Sequence, residues 1–317
     1  MQVSILVVSR TPELLNRFCA SLNQASELHP MEMEILCSWN GTDAEETQIH
    51  NTSRYDLHIA QRVPYHFSGN MNGLAAKAGG DVLMIANDDL ILDAGCVDAG
   101  FNLLNSNPEI GLVGALLRDQ YDLISHAGIN FDLRCSNYHL LDRLMSSSKL
   151  SDIPSAPVGA VTGALQWIAR QDFLEHPFNT AYRVCGEDVE LCMDVQQRLK
   201  KQVWLCAEAS AVHEAETTRS QDENQAGNSE DQIRLRARVK TFIDQASKKQ
   251  LKILLMQQQR ESMHLRDLVT DQTGQLEIQE TLNIERKERA EQEKVLLDLR
   301  EERLRLKQQL ELAGGHQ

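Results

Sequence analysis

The chain has no CxxC pair, and its seven cysteines are scattered at positions 19, 37, 96, 135, 185, 192 and 206. An odd count without paired spacing argues against a disulfide framework or a zinc ribbon, so reduced thiols in a cytosolic protein are expected. No apolar run approaches the ~20 residues of a membrane span. The first apolar stretch, Val3 to Val8, is too short for a signal sequence and lacks a basic flank. Positive charge is scarce: 32 Lys+Arg face 46 Asp+Glu, a net of −14, which argues against nucleic acid as a partner. Aromatics and proline run out toward the C-terminus. Residues 228–317 hold one aromatic (Phe242), no proline and three glycines. Their 17 Lys+Arg nearly balance 16 Asp+Glu, which leaves 15 against 30 in residues 1–227. The acidic surplus therefore belongs to the first part of the chain, and a polar, charge-balanced tail follows it.

What is present in the first part is alternation. Val3 to Val8 reads as a buried strand, and Thr11-Pro12-Glu13 has the cap, first-turn proline and acid of a helix start. Met33 to Cys37 is a second strand closed by a turn at Asn40-Gly41, and Leu57 to Val63 is a weaker third. Ser68 is placed to cap a helix running to Ala78, ended by Gly79-Gly80. A strand at 82–86, a helix from Asp93 to Asn105 and a strand from Ile110 to Leu116 follow. Strand–helix alternation of this kind predicts an α/β domain with a mostly parallel central sheet. Residues 118–160 break into short pieces. Val158 to Ile168 reads as a strand carrying Gly163, Gly186-Glu187-Asp188 opens a helix, and Val203 to Cys206 is a last short strand before His213.

Chemistry concentrates where the apolar run Val82 to Ala86 stops at Asn87-Asp88-Asp89. In an open parallel sheet ligands sit beyond the carboxyl ends of the strands. Paired acids there suit a hard divalent cation, and the cation suits a phosphate. An ordinary helix cap explains the same residues equally well. Glu187 and Asp188 sit at a helix start, where the helix dipole favours a carboxylate anion. His213 could add a nitrogen ligand, and Arg219 could meet a phosphate.

The ordered set of these segments resembles the family 2 glycosyltransferases of the GT-A fold, in particular the bacterial O-antigen and rhamnosyltransferase-like type that builds surface polysaccharide. The matching stretches are Val3 to Val8, Tyr65 to Asn72, Gly80 to Asp89, His126-Ala127-Gly128, Val161 to Ala164, Glu187 to Cys192 and Ala211 to Glu214. They stand in family order across about residues 2–220. The resemblance implies an inverting, metal-dependent transfer of a sugar from a nucleotide-sugar donor to a growing bacterial glycan, free or lipid-linked. It implies Asp188 as the base and Asp89 with His213 as ligands of Mn²⁺ or Mg²⁺. It places Ser9, Asn40, Ser68, Asn72, Asn87, Asp88 and Arg219 on the donor side, and Gly163 and Glu187 on the acceptor side. The chain departs from the family at Ser38-Trp39-Asn40-Gly41-Thr42, where an aspartate is usual, and at Ser9-Arg10-Thr11, which lacks the usual aromatic–asparagine pair. These departures bear on which nucleotide base is bound more than on the chemistry; the missing aspartate, with the weak heptad seam of the tail, also motivates an alternative of another class, a non-catalytic nucleotide-sugar-binding scaffold organised by its coiled coil.

That tail begins after a polar linker at 221–231 and reads as helix over 232–317. With Leu268 as an a position, seven of thirteen a/d sites are apolar: Leu268, Ile278, Leu282, Leu296, Leu299, Leu306 and Leu310. Glu285, Arg289 and Gln292 interrupt the seam, so a frayed coiled coil that forms a homo-oligomer is expected, a single charged helix being the other reading. The basic segment Arg234 to Lys240 offers either ordinary packing or peripheral contact with anionic lipid. The expected location is cytoplasmic, at the inner face of the inner membrane if the tail docks there.

Overall fold

Strand β1 (Val3–Ser9) forms where a largely β-branched run is buried at every position, and it pairs with a strand on each side. The computed structural model describes residues 1–144, 146, 153–214, 228–270, 276, 278–292 and 294. After β1 come α1 (Pro12–Ala25), β2 (Met33–Trp39), a short α2 (Asp43–Glu46), β3 (Asp56–Arg62), α3 (Phe67–Ala75), β4 (Val82–Asn87), β5 (Leu90–Leu92) and α4 (Cys96–Ser106). Next are β6 (Ile110–Arg118), β7 (Ile124–His126), β8 (Ile129–Phe131), β9 (Asn137–His139) and β10 (Ala156–Pro157). β11 (Leu165–Ala169), α5 (Arg170–Glu175), α6 (Glu187–Gln197), β12 (Gln202–His213), α7 (Asn228–Gln245) and α8 (Lys248–Thr270) complete the order.

The main sheet runs β10-β12-β6-β11-β4-β1-β2-β3, with β5 attached to β12 and β7 to β6. β3, β2, β1 and β4 pair in parallel, as do β12 and β6, while β11 is inserted antiparallel between β4 and β6. The expected mostly parallel sheet is therefore observed, with one reversed strand inside it. Both faces are covered, so the strands are apolar throughout rather than alternating. Val3, Ile5 and Val7 cluster with Leu15, Phe18 and Leu22 of α1, while Leu6, Leu83 and Ile85 are equally buried. Each such side chain contributes about 1.5–3 kcal/mol of apolar burial.

Several boundaries differ from the sequence reading, each for a local reason. His66, not Ser68, caps α3: its Nδ1 accepts the Gly69 N–H at 3.0 Å, the service a serine or asparagine usually gives. The expected strand over 158–168 begins only at Leu165, because 158–164 is held as a loop by Ala160 bridging Ile129. The helix expected from Asp93 starts at Cys96, after Gly95 at φ +73°, and the preceding residues form β5 instead. β12 extends to His213, through an irregularity between Cys206 and Ser210 that hides the second half of the strand from a pattern reading.

The chain divides into two compact units, Met1–His264 and Leu265–Gln317. Helix α7 and most of α8 thus sit with the α/β part, where the sequence reading assigns them to the tail. Leu235, Val239 and Phe242 of α7 are buried, so the basic segment 234–240 packs as an amphipathic helix. Asp231 explains why α7 is needed. Its Oδ2 accepts from the backbone N–H of Arg183, Val184 and Cys185 at 2.9, 2.7 and 3.3 Å, and its side chain is 1% exposed. It therefore fixes the loop that enters α6. Of the heptad positions, Ile278 and Leu282 lie in helical residues of the second unit, whereas Leu296, Leu299, Leu306 and Leu310 lie outside the described residues. No helix among the described residues is long and apolar enough to cross a membrane.

Replacing Asp231 with Ala strands three backbone donors, so Asp231→Ala is expected to lose about 3 kcal/mol of stability. Urea unfolding followed by circular dichroism measures it; a loss below about 0.5 kcal/mol contradicts the role given to this carboxylate.

Candidate active site

Topology brings the chemistry together. β1 and β4 run parallel and end at Ser9 and Asn87. β11 runs against β4, so the 162–164 loop that precedes it lies at the same end of the sheet. β12 is parallel to β6, which also runs against β11, so His213 finishes there too. Pairing of β12 with β5 sets His213 opposite Leu90, and the Glu214 N–H reaches the Asp89 carbonyl at 3.2 Å. A cleft results, with Asp88, Asp89, His213, Gly163, Glu187 and Asp188 on its walls.

Asp88 and Asp89 are each 4% exposed. Burial pushes the Asp88 carboxyl up to about 7; a hydrogen bond from the Ser9 side chain opposes this, the neighbouring Asp89 charge adds to it, and Arg10 works against it. Asp89 is placed differently. Its Oδ1 is buried without a well-aligned hydrogen-bond donor, yet lies 3.2 Å from His213 Nε2. The Asn87 side-chain nitrogen is 3.3 Å from that same Nε2. An amide nitrogen only donates, so with the Asn87 amide in this orientation the tautomer that answers it leaves a lone pair on His213 Nε2. In that tautomer Nε2 and Asp89 Oδ1 are two acceptors 3.2 Å apart, an arrangement that a cation between them relieves.

The pair therefore fits one side of a divalent cation site. Among the described residues no group of three or more His, Cys, Asp or Glu is arranged to hold a metal. Two protein ligands suffice for an open site of the Mg²⁺ kind, which keeps waters and takes the remaining oxygens from phosphates.

Asp188 faces the pair from another element. Gly186, at φ +110°, opens α6, and a side chain there would strike the Tyr182 ring. Asp188 stands in the first turn, where its Oδ1 accepts from the Val189 N–H at 2.8 Å and its Oδ2 from the Gly163 N–H at 2.7 Å. A Cβ on Gly163 would come within 3.1 Å of Asp188 Cβ, so any larger residue there would press on this side chain. The carboxylate is thus oriented by two backbone donors and keeps a lone pair on each oxygen for a proton. Glu187 beside it is 7% exposed.

The remaining expected residues are distributed unevenly. Ser9 and Asn87 reach the site through Asp88 and His213. Asn40 is tied to the end of β1 by its N–H to the Ser9 carbonyl at 2.8 Å, and its Oδ1 is buried without a partner. Ser68 and Asn72 do not line the cleft. Both polar atoms of Asn72 are engaged by the Phe178 backbone, at 2.8 and 3.1 Å, so in this structure it clamps α3 to the 178 loop. Arg219 lies outside the described residues.

Tyr65, Phe67 and Thr162 line the cleft and His126 stands behind it; the sequence reading includes them in its matching segments without giving them a role. Only the fold shows what His126 does: its Nε2 accepts the Thr162 N–H at 3.3 Å while its Nδ1 meets His139 Nδ1 at 3.0 Å.

This architecture is that of the GT-A glycosyltransferases. The mannosyltransferase PcManGT from Pyrobaculum calidifontis, solved with GDP-Man and Mn²⁺, superposes with a TM-score of 0.55 at 14% identity, covering 89% of this chain and 75% of that one. S. aureus TarS 1–349 gives 0.52 at 11% identity, covering 89% and 79%. GalNAc-T7 with UDP, GalNAc and Mn²⁺ gives 0.51 at 13%, covering 67% and 44%. At these identities the likeness is one of fold. In sequence the chain is similar to the O-antigen biosynthesis protein RfbC of Myxococcus xanthus, 25% identical over 240 residues, which is 70% of this chain and 18% of that protein. No family model matches the chain.

His126 gives the site a pH signature in stability. Burial holds its pKa well below the ordinary imidazole value, with His139 and His213 adding to the effect. The folded state then binds fewer protons than the unfolded one below about pH 6.5, so this stability contribution is present above that pH and is lost as pH falls. His126→Asn is expected to cost about 1–2 kcal/mol at pH 7.5 and to flatten the decline between pH 7.5 and 5.5. Parallel urea curves for the two proteins at both pH values test it; equal slopes against pH would refute it.

Proposed function

We propose that the protein is an inverting, metal-dependent glycosyltransferase that moves a sugar from a nucleotide-sugar onto a growing bacterial surface glycan. The observation that carries this reading is the opposition, in one cleft, of Asp89 with His213 to Asp188 held by Gly163. A divalent cation held by Asp89 Oδ1 and His213 Nε2 would supply the charge that neutralises a departing diphosphate. The chain does the rest. Asp188 takes the proton of an acceptor hydroxyl as its oxygen bonds to the anomeric carbon and the bond to the diphosphate breaks. Gly163 and the start of α6 keep that carboxylate aimed through their backbone N–H groups, and direct attack by the activated hydroxyl inverts the anomeric centre. Asp88, Ser9 and Asn87 hold the donor-side wall, and Glu187 the acceptor side. The Myxococcus relative's part in O-antigen synthesis supports a bacterial surface glycan as product, and the Mn²⁺ and nucleotide-sugars of PcManGT and GalNAc-T7 support the cofactor and donor class.

Assay of a nucleotide-sugar panel with Mn²⁺ or Mg²⁺ tests the reading. Chelation, Asp89→Ala and Asp188→Asn are each expected to lower kcat by about 10²–10⁴-fold, the range of one acid–base or charge-stabilising group. Asp188→Asn keeps donor affinity, whereas Asp89→Ala loses the metal-dependent part of it. Donor binding by calorimetry with no transfer to any acceptor would leave the scaffold alternative standing instead.

We further infer that the residues after His264 make the protein a homo-oligomer through the heptad positions from Leu268 onward. Light scattering of the full chain against one ending at Thr270 is expected to show a fall to the monomer mass. An unchanged ratio of particle mass to chain mass would remove this inference.

A further inference from the structure

A second cavity, of about 670 Å³, lies between the C-terminal end of α6, the start of β12 and helices α7 and α8. All of these belong to the first compact unit. Its volume is in the range of small-ligand sites, roughly 300–1,000 Å³. Its wall carries five cations, Arg198, Lys200, Lys201, Arg238 and Lys249, and no carboxylate. This is a strong segregation in a chain whose acids outnumber its bases by 46 to 32.

The carboxylates that answer these cations are not part of the lining. Asp194 accepts from both Arg198 and Arg238 at 3.1 and 2.9 Å, Asp172 from Lys201 at 2.5 Å, and Glu109 from Lys249 at 2.8 Å. Three acids thus hold four cations in place, and the fifth, Lys200, makes no ion pair among the described residues. The rest of the lining is rich in amides and hydroxyls able to donate, among them Gln197, Thr241 and Gln245. Fixed guanidinium and ammonium groups around a polar cavity recognise an anion with several oxygens.

Lys200 also has an unusual backbone. Lys201 N–H bonds to the Val195 carbonyl at 3.2 Å, which closes the turn after α6 and leaves Lys200 in the left-handed conformation, φ +59°. Glycine fits that position without strain and lysine does not. The structure holds a cation at the mouth of this cavity in a conformation that disfavours any side chain.

The site is separate from the cleft. Asp188 is in the first turn of α6 and the cavity begins at Gln196 in its last turn, ~12 Å away along the helix. It faces the amino ends of β6 and β12, away from the carboxyl ends where the donor side lies.

We propose that this cavity is an accessory binding site for a phosphate or diphosphate group, centred on Lys200. The group can be a free anion or the headgroup of a lipid. Its test uses the full chain without divalent metal, so that the cleft does not contribute. Inorganic pyrophosphate is titrated by calorimetry into the unaltered protein, Lys200→Gly, Lys200→Arg and the double variant with Lys249→Ala. Vesicles of phosphatidylcholine, with and without phosphatidic acid, are floated with the same proteins. Lys200→Gly is expected to weaken pyrophosphate binding at least fivefold while the melting temperature stays level or rises, because glycine relieves the left-handed strain. Lys200→Arg restores most of the affinity, and the double variant abolishes it. Pyrophosphate binding without vesicle binding identifies a soluble anion; vesicle binding that depends on phosphatidic acid and on Lys200 identifies a headgroup. Pyrophosphate affinity unchanged in Lys200→Gly and in the double variant, or no binding of either probe to the unaltered protein, overturns the proposal. Mn²⁺-dependent nucleotide-sugar binding in the cleft is unchanged in all variants, so the two sites fail or stand separately.

Discussion

Burying two adjacent carboxylates at the end of a strand is the constraint on which the rest of this structure turns. Asp88 and Asp89 are almost without solvent, and the cost of charge there is large unless something answers it. The fold divides the problem. Asp88 is allowed to move toward neutrality, its pKa rising to about 7 despite the Ser9 hydrogen bond. Asp89 instead faces His213, brought to it by the pairing of β12 with β5. Two chemically identical side chains, one residue apart, are so given different uses by what the next strands deliver. A cation would complete the arrangement around Asp89 and would draw Asp88 back toward its charged form.

Much of the scaffold was legible because its strands are buried on both faces. Continuous runs such as Val82 to Ala86 need no tertiary information to be read, and their acidic ends follow from where the apolar residues stop. Asp188 was legible for a similar reason: a glycine followed by two acids and a helical apolar repeat marks a helix start. His213 was found through its place in the ordered family segments, although the second half of β12 that carries it was not, since Glu208 and Ser210 interrupt its pattern. The uses of His126 and Asn72 were not legible, although both residues stand in the matching segments. Each depends on a backbone group from a segment far along the chain, Thr162 for one and Phe178 for the other. A side-chain amide destined for a backbone clamp reads no differently in sequence from one destined for a ligand.

Composition also misplaced a boundary. The loss of aromatics and proline after residue 227 marks a change in secondary structure, not a change of unit. Phe242, the one aromatic left, is fully buried and packs edge-on against Phe131 at 6.2 Å between ring centres. Asp231 then binds the loop before Gly186 with three backbone hydrogen bonds. Since that loop sets where α6 begins, and α6 carries Asp188, the helix after the polar stretch bears on the geometry of the cleft.

Helix α6 joins two regions of opposite sign. Glu187, Asp188 and Glu190 occupy its first turn, and Arg198, Lys200 and Lys201 follow its last. This order complements the helix dipole at both ends, and complementation alone would account for a few tenths of a kcal/mol to about 1 kcal/mol at each. It does not account for Arg238 and Lys249, which come from α7 and α8 and face the same space, nor for a lysine at a position that suits glycine. Dipole matching asks for cations near the helix end; it does not ask for a cavity between them, or for a lining without a carboxylate. The acidic cleft and the basic cavity are better understood as two binding problems solved on one helix, whose ends favour opposite charges.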